Sequence, residues 1–166
     1  MSLQRYLTAL NAKLLLLGIF TGIVTFASSI SFAQNKPAPS YPQRIITVAP
    51  HLSEVVESAG GANRLISVSA YSNFPDSVKQ LPITSDARSI DLEKMKQLRP
   101  DLIIYWRGGT PETQIESIKK TFTSISVVSV EPKKLTDIAN DIESIGKLLG
   151  TETIAKKNAD TLRSQI

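Results

Sequence analysis

Few side chains in this sequence can do covalent chemistry. His51 is the sole histidine and there is no cysteine in the 166 residues. A zinc or haem site built wholly from this chain therefore lacks donors, although one axial contact from His51 to a bound metal is available. His51 follows Pro50 just past a β-branched run and reads as a loop residue near a helix start. The carboxylates fall one or two per segment, without the paired arrangement that general acid–base catalysis uses. The G-x-S-x-G, G-x-x-x-x-G-K-[ST] and G-x-G-x-x-G patterns are absent. Gly108-Gly109 can hold an anion on backbone N–H groups ahead of a helix, and can equally be a turn. We expect no catalytic residue, no metal ligand set and no resident cofactor, so an enzyme is the weaker class.

Binding chemistry is better represented. Tyr71 and Trp106 each follow a strand-like run, and such large, flat side chains suit a broad, partly apolar ligand. Packing of Trp106 into the core beneath its own loop is the alternative. Arg107 can pair with amide or phosphate oxygens of a ligand, or with a surface acid.

The elements that must position these residues follow from periodicity. Short β-branched runs at Arg44–Val48, Leu65–Val68, Leu102–Tyr105 and Ser126–Val130 alternate with helical stretches. Ser53–Ala59 is helical and closes on Gly60-Gly61, which supply the left-handed conformation that ends helices. Asp91–Leu98 places Leu92, Met95 and Leu98 on one face before Pro100. Thr110-Pro111-Glu112 is a helix start of hydroxyl cap, proline and acid, for a helix running to about Lys120. Leu135–Leu149 is amphipathic and closes on Gly150, and Thr151 caps a last helix that is still running at Ile166. That ending suits a truncated or frameshifted product as well as a designed terminus. Strands separated by such helices form right-handed crossovers and a mostly parallel sheet, whose ligands meet loops at the carboxyl ends of strands. The rule selects the loops Ala49–Leu52, Ser69–Phe74 and Trp106–Thr110.

At the N-terminus, Arg5 and Lys13 precede an apolar run from Leu14 to Phe26 and the small-residue stretch Ala27–Ala33. This is the order of a cleavable secretory signal. A retained anchor would need roughly 20 apolar residues, and the run has 13. Cleavage after Ala33 leaves 133 residues, enough for one compact domain, with the formal charge falling from +4 to +2 as Arg5 and Lys13 are lost. The isolated lysine pairs that remain are solvated helix surface, so no nucleic-acid partner is expected. Without a cysteine there is no lipid attachment and no disulfide, so the mature protein is expected free in the periplasm with no membrane span.

Several segments then match a family pattern. Arg44–Pro50 with Glu54, Ser67–Pro75, Asp91-Leu92-Glu93, Arg99–Ile103 and Tyr105–Gly109 occur in order. Together they resemble the helical-backbone periplasmic receptors for cobalamin, haem and iron chelates that serve ABC importers. The resemblance runs from about residue 42 to the end and corresponds to the first of two lobes. Arg99–Ile103 is common to the whole family, whereas Tyr71 and the Trp106–Gly109 stretch are specific to its cobalamin-binding members. The resemblance implies that Tyr71 and Trp106 contact a corrinoid at the lobe interface, and that Glu93 docks onto arginines of the membrane permease. Asp91 and Glu93 can also simply complement a helix dipole. Cobalamin binders carry a second tryptophan where this chain has Asp86-Ala87-Arg88-Ser89, so an aromatic wall is lost and Arg88 is gained, which would suit an anionic chelate.

The resemblance implies a Rossmann-like α/β fold, a mostly parallel sheet flanked by helices. Its segments are a signal peptide (1–33), a flexible leader (34–43), an N-terminal ligand-binding lobe (44–150) and the start of the inter-lobe backbone helix (151–166), with the second lobe absent. The function implied is periplasmic capture of cobalamin and delivery to an ABC permease and its ATPase. A receptor for an iron chelate, either siderophore or haem, and a truncated lobe that does not bind are the alternatives.

Overall fold

A computed structural model describes residues 40–166. The expected signal segment, 1–33, and the first part of the leader lie outside them. Five parallel strands form one sheet in the order β3-β2-β1-β4-β5: β1 is Ile45–Thr47, β2 Leu65–Ser69, β3 Ile83–Ser85, β4 Leu102–Trp106 and β5 Ser126–Val130. Among the described residues, five α-helices accompany them: α1 Leu52–Ser58, α2 Leu92–Leu98, α3 Glu112–Thr121, α4 Leu135–Leu149 and α5 Glu152–Arg163.

The pleat explains why both faces are covered. Successive side chains of a strand point to opposite faces, and β1 and β4 are apolar at nearly every position. Ile45, Leu102 and Ile104 pack with Leu52, Val56, Ile145 and Leu149 of α1 and α4. Ile46, Ile103 and Tyr105 pack on the other face with Met95, Ile115 and Ile118 of α2 and α3. Each such fully buried aliphatic side chain contributes roughly 1.5–3 kcal/mol of transfer free energy, so the central strands anchor the loops at their ends.

Three local expectations change. β3 was not expected; it is three residues long and follows Pro82. Its pairing with β2 is reinforced by Ser67 and Thr84, whose hydroxyls lie 2.8 Å apart. Thr110 does not cap α3: the helix begins at Glu112 with Pro111 in the cap position. The Thr110 N–H instead donates to the Trp106 carbonyl at 2.8 Å, which folds Thr110 into the turn beneath the strand end. The Thr151 hydroxyl likewise caps no N–H; it donates to the Ala59 carbonyl and ties the start of α5 to the end of α1. Gly60 and Gly150 do take left-handed φ values, +84° and +69°, at the ends of α1 and α4.

α5 lies against α4 and α1 through the small residues Ala155 and Ala159, both fully buried. Gly146 sits opposite Ala155, with no room for a Cβ between the two helices. Arg163 closes the far end of this seam, 2.8 Å from Glu143 and 2.9 Å from Asn140. The Asn158 amide donates to the Ser58 carbonyl at 2.8 Å and joins α5 to α1.

Candidate ligand-binding site

All three loops selected by the strand-end rule meet at the carboxyl ends of β1, β2 and β4. Ala49 and Pro50 leave β1, Ala70 and Tyr71 leave β2, and Trp106 ends β4. With Asp86 and Ala87 after β3 and Gln114 at the start of α3, they line a cleft of about 130 Å³.

The two aromatics are held differently. Tyr71 is 83% exposed with φ +67°, a conformation uncommon for a residue bearing a Cβ. Its ring therefore stands free in solvent at the cleft rim. Trp106 is half-buried, with one part of its ring against the α1/α4 core and another in the cleft. The packing that was one of the two alternatives in the sequence is thus present, and part of the ring is still left open to the cleft. The turn behind it explains the glycines: N–H groups of Gly109 and Thr110 donate to the Trp106 carbonyl, which curls the chain over the indole. A Cβ on Gly109 would overlap the six-membered ring, and one on Gly108 would stand 2.8 Å from its Nε1. These glycines serve close approach of backbone to ring; no anion cradle is needed to account for them. His51 completes the support, meeting Trp106 edge to face with centroids 5.1 Å apart at 88°.

His51 is also a wall of a second cavity. A groove of about 320 Å³ runs between α1, α4, α5 and the β5–α4 loop, lined by Val55, Ile138, Ile142 and Leu162 with the polar His51, Glu54 and Asp141. The groove and the cleft share no lining residue; Pro50 belongs to the cleft and His51 to the groove, with the His51–Trp106 contact standing between them. Burial pushes the Asp141 carboxyl above the usual range, with nearby Asp137 adding to the effect. Its Oδ2 atom is buried without a hydrogen-bond partner among the described residues.

The charged candidates lie elsewhere. Arg107 is exposed and outside the cleft lining. The pleat sends it to the face of Tyr105. There, burial pushes the phenol up, but hydrogen bonds with Ser129 and Arg107 and the charges of Lys119 and Arg107 outweigh it, so the phenol falls below its usual value. Arg88 is exposed at the tip of the β3–α2 loop, where its backbone N–H donates to the Asp86 carboxylate at 2.7 Å. The N–H groups of Arg88 and Ser89 hold that carboxyl below the usual range, so Asp86 faces the cleft as an anion. Glu93 is exposed in the first turn of α2 and pairs with Lys96 at 2.8 Å. It belongs to a different surface from the cleft. No group of three potential metal ligands occurs among the described residues, and none of their helices is long and apolar enough to cross a membrane.

The site contains its own reporter. Burial lowers the His51 pKa below 6.5, with Glu54 opposing, and Trp106 is the only tryptophan. Protonation thus falls below pH 6.5, where an imidazolium against the indole edge quenches its emission. Trp106 fluorescence should drop on acidification with a midpoint under 6.5, a transition that His51→Gln removes. The same sign governs stability: neutral His51 favours the folded state above the unfolded pKa, and that contribution is lost as pH falls through the lower folded value. Asp141 acts oppositely, its ionisation disfavoured on folding, and Glu54 and Asp141 are the other titrating groups lining this groove.

Comparison with known proteins places these features in context. A family model described as periplasmic binding protein matches residues 45–166. The vitamin B12-binding protein of Vibrio vulnificus is 33% identical over 124 residues, covering 75% of this chain and 45% of that protein. That of Vibrio campbellii is 35% identical over 139 residues, 84% of this chain and 48% of that protein. Among solved structures, the periplasmic vitamin B12-binding protein BtuF of Vibrio cholerae aligns with a TM-score of 0.70 and 30% identity over 75% of this chain and 48% of the other. A periplasmic heme-binding protein from Pseudomonas aeruginosa aligns with a TM-score of 0.66 and 26% identity, over 75% and 44%. The chain spans about half the length of the curated relatives it matches.

Proposed function

Because the chain belongs to the periplasmic binding protein family, we propose that residues 44–150 form the first lobe of a receptor that captures cobalamin for an ABC importer. The observation that carries this reading is the cleft at the strand ends, where exposed Tyr71 and half-buried Trp106 stand at one rim. A flat aromatic wall pre-set by a packed scaffold suits a corrinoid face, whose apolar area is large and whose fit costs little reordering. The vitamin B12-binding relatives support the same ligand.

In this reading no bond is made or broken. The lobe supplies one wall, and a second lobe beyond a link that starts with α5 supplies the other. Residues 1–33 direct export, so the ligand is met in the periplasm. Glu93, displayed on α2 away from the cleft, docks the loaded receptor on cationic residues of the permease.

The second reading, an anionic iron chelate or haem, is favoured by Arg88 at the loop tip and by the similarity to a heme-binding protein. Calorimetric titration of the chain with cobalamin, haem and a ferric siderophore separates the two. Cobalamin should release or absorb the most heat and bind tightest, and one lobe with half the contacts should give an affinity in the micromolar range or weaker. Tighter binding of the anionic chelate, weakened by Arg88→Ala, would transfer the assignment to the second reading.

A further inference from the structure

We infer that Thr110 and Gln114 form a neutral hydrogen-bonding clamp inside the cleft that takes a primary carboxamide arm of the ligand. This rests on the cobalamin reading above and deepens it.

Most polar side chains of the cleft lining are already committed elsewhere. Ser69 donates to the Ser85 carbonyl at 3.3 Å. Asp86, the one charged group of the lining, takes three hydrogen bonds at Oδ1 from Arg88 and Ser89 of its own loop. Tyr71 stands out in solvent.

Thr110 and Gln114 differ from these. Thr110 is nine-tenths buried, and its hydroxyl, released from capping α3, makes no hydrogen bond among the described residues. Unlike the hydroxyls of Thr47 and Ser85, it is not sealed in the core, so the cleft is the space open to it. Gln114 follows one turn later, half-buried, with its backbone fixed by an N–H bond to the Pro111 carbonyl at 2.9 Å. Its side-chain amide is likewise unused among the described residues and lines the same cleft. The fold thus positions a hydroxyl and an amide side by side and gives neither a partner.

The size of the cleft decides what reaches them. At about 130 Å³ it is well under the roughly 300–1,000 Å³ of pockets that enclose a whole small-molecule ligand. A broad ring therefore lies across the mouth, on Trp106 and Tyr71, and only a short arm enters. The Gln114 side chain presents an N–H donor and a carbonyl acceptor together. A primary carboxamide presents the same two groups in reverse, so the pair closes two hydrogen bonds, and the Thr110 hydroxyl gives or takes a third. A carboxylate offers acceptors only and leaves the Gln114 carbonyl unmatched, which is costly once water is displaced. Corrinoids carry acetamide and propionamide arms, whereas haem carries propionates. The clamp thus separates ligands of similar breadth by the ends of their arms, leaving the aromatic wall to provide general affinity.

The test is an NMR titration of the wild-type chain with cobalamin at pH 7, following the assigned side-chain NH2 resonances of Gln114, alongside calorimetry of Gln114→Leu and Thr110→Val. The Gln114 resonances should shift saturably with cobalamin. Gln114→Leu should bind about tenfold more weakly and Thr110→Val about threefold, with melting temperatures unchanged, since neither side chain bonds within the fold. Cobalamin binding with an unmoved Gln114 amide, or with both substitutions within twofold of wild type, overturns the clamp and leaves the receptor assignment standing. Failure of cobalamin to bind the wild-type chain at all defeats the receptor reading, and the clamp with it. The NMR arm needs no variant to fold.

Discussion

Replacing Trp106 with alanine should weaken cobalamin binding by about thirtyfold. Buried aromatic anchors cost at least about 2 kcal/mol when truncated, and 1.4 kcal/mol is a factor of ten. Trp106 is placed to reach that level because its ring is held from three sides. The core lies beneath it, His51 meets it edge-on, and the Gly108-Gly109 turn crosses it, so no order has to be imposed when a ligand arrives. Tyr71, 83% exposed, has more to lose on binding, and Tyr71→Ala should cost less, about tenfold. Trp106→Phe should fall between wild type and alanine. Calorimetry is the right readout, since the substitution removes the only tryptophan, and thermal melts distinguish lost binding from lost fold.

The second large effect concerns stability. Gly146→Val should destabilise the domain by about 3 kcal/mol and lower Tm by roughly 10 °C. Glycine inside a helix ordinarily costs about 1 kcal/mol relative to alanine, so on propensity alone a larger residue would help α4. The geometry decides otherwise, because even one added carbon at Gly146 meets the Ala155 methyl across the α4–α5 seam. Overpacking typically costs 1–3 kcal/mol and exceeds the propensity gain. Gly146→Ala should therefore also destabilise, by about 1 kcal/mol, and Ala155→Gly in the same chain should relieve it. A variant as stable as wild type would mean that α5 is not seated on α4 as described.

How much of this was legible in the sequence depends on how local each signal is. β1, β2, β4 and β5 were readable because their β-branched runs are a local signal that needs no context, even in β5, which lies at the sheet edge and is only partly buried. β3 was not: three residues behind a proline carry almost no pattern, and its place is set by pairing with β2 through Ser67 and Thr84. The cleft was legible by topology, since the ligand loops of an open parallel sheet lie at strand carboxyl ends. The exposure of Tyr71 was not, because it depends on a positive φ in a turn.

Arg107 is instructive. Its neighbourhood to Trp106 in sequence suggested a shared site, yet the period of two along a strand already places adjacent residues on opposite faces. Tyr105 and Arg107 go together, and Trp106 goes the other way. The groove was beyond sequence reading altogether, since its walls come from α1, the β5–α4 loop, α4 and α5, segments more than a hundred residues apart at the extremes. Thr110 and Thr151 show a similar limit: each sits at a helix start, but Thr110 is drawn into the turn after β4 by its N–H bond to the Trp106 carbonyl, and the Thr151 hydroxyl goes to the distant Ala59 carbonyl rather than to a cap.

The most direct measurement of the central claim is the emission of Trp106 during a cobalamin titration, corrected for absorption with free tryptophan amide. A corrinoid lying over the indole should quench it saturably, and cobalamin should do so at lower concentration than haem or a ferric siderophore. Emission that stays unchanged beyond the absorption correction up to millimolar cobalamin would contradict the assignment of this cleft as a cobalamin site.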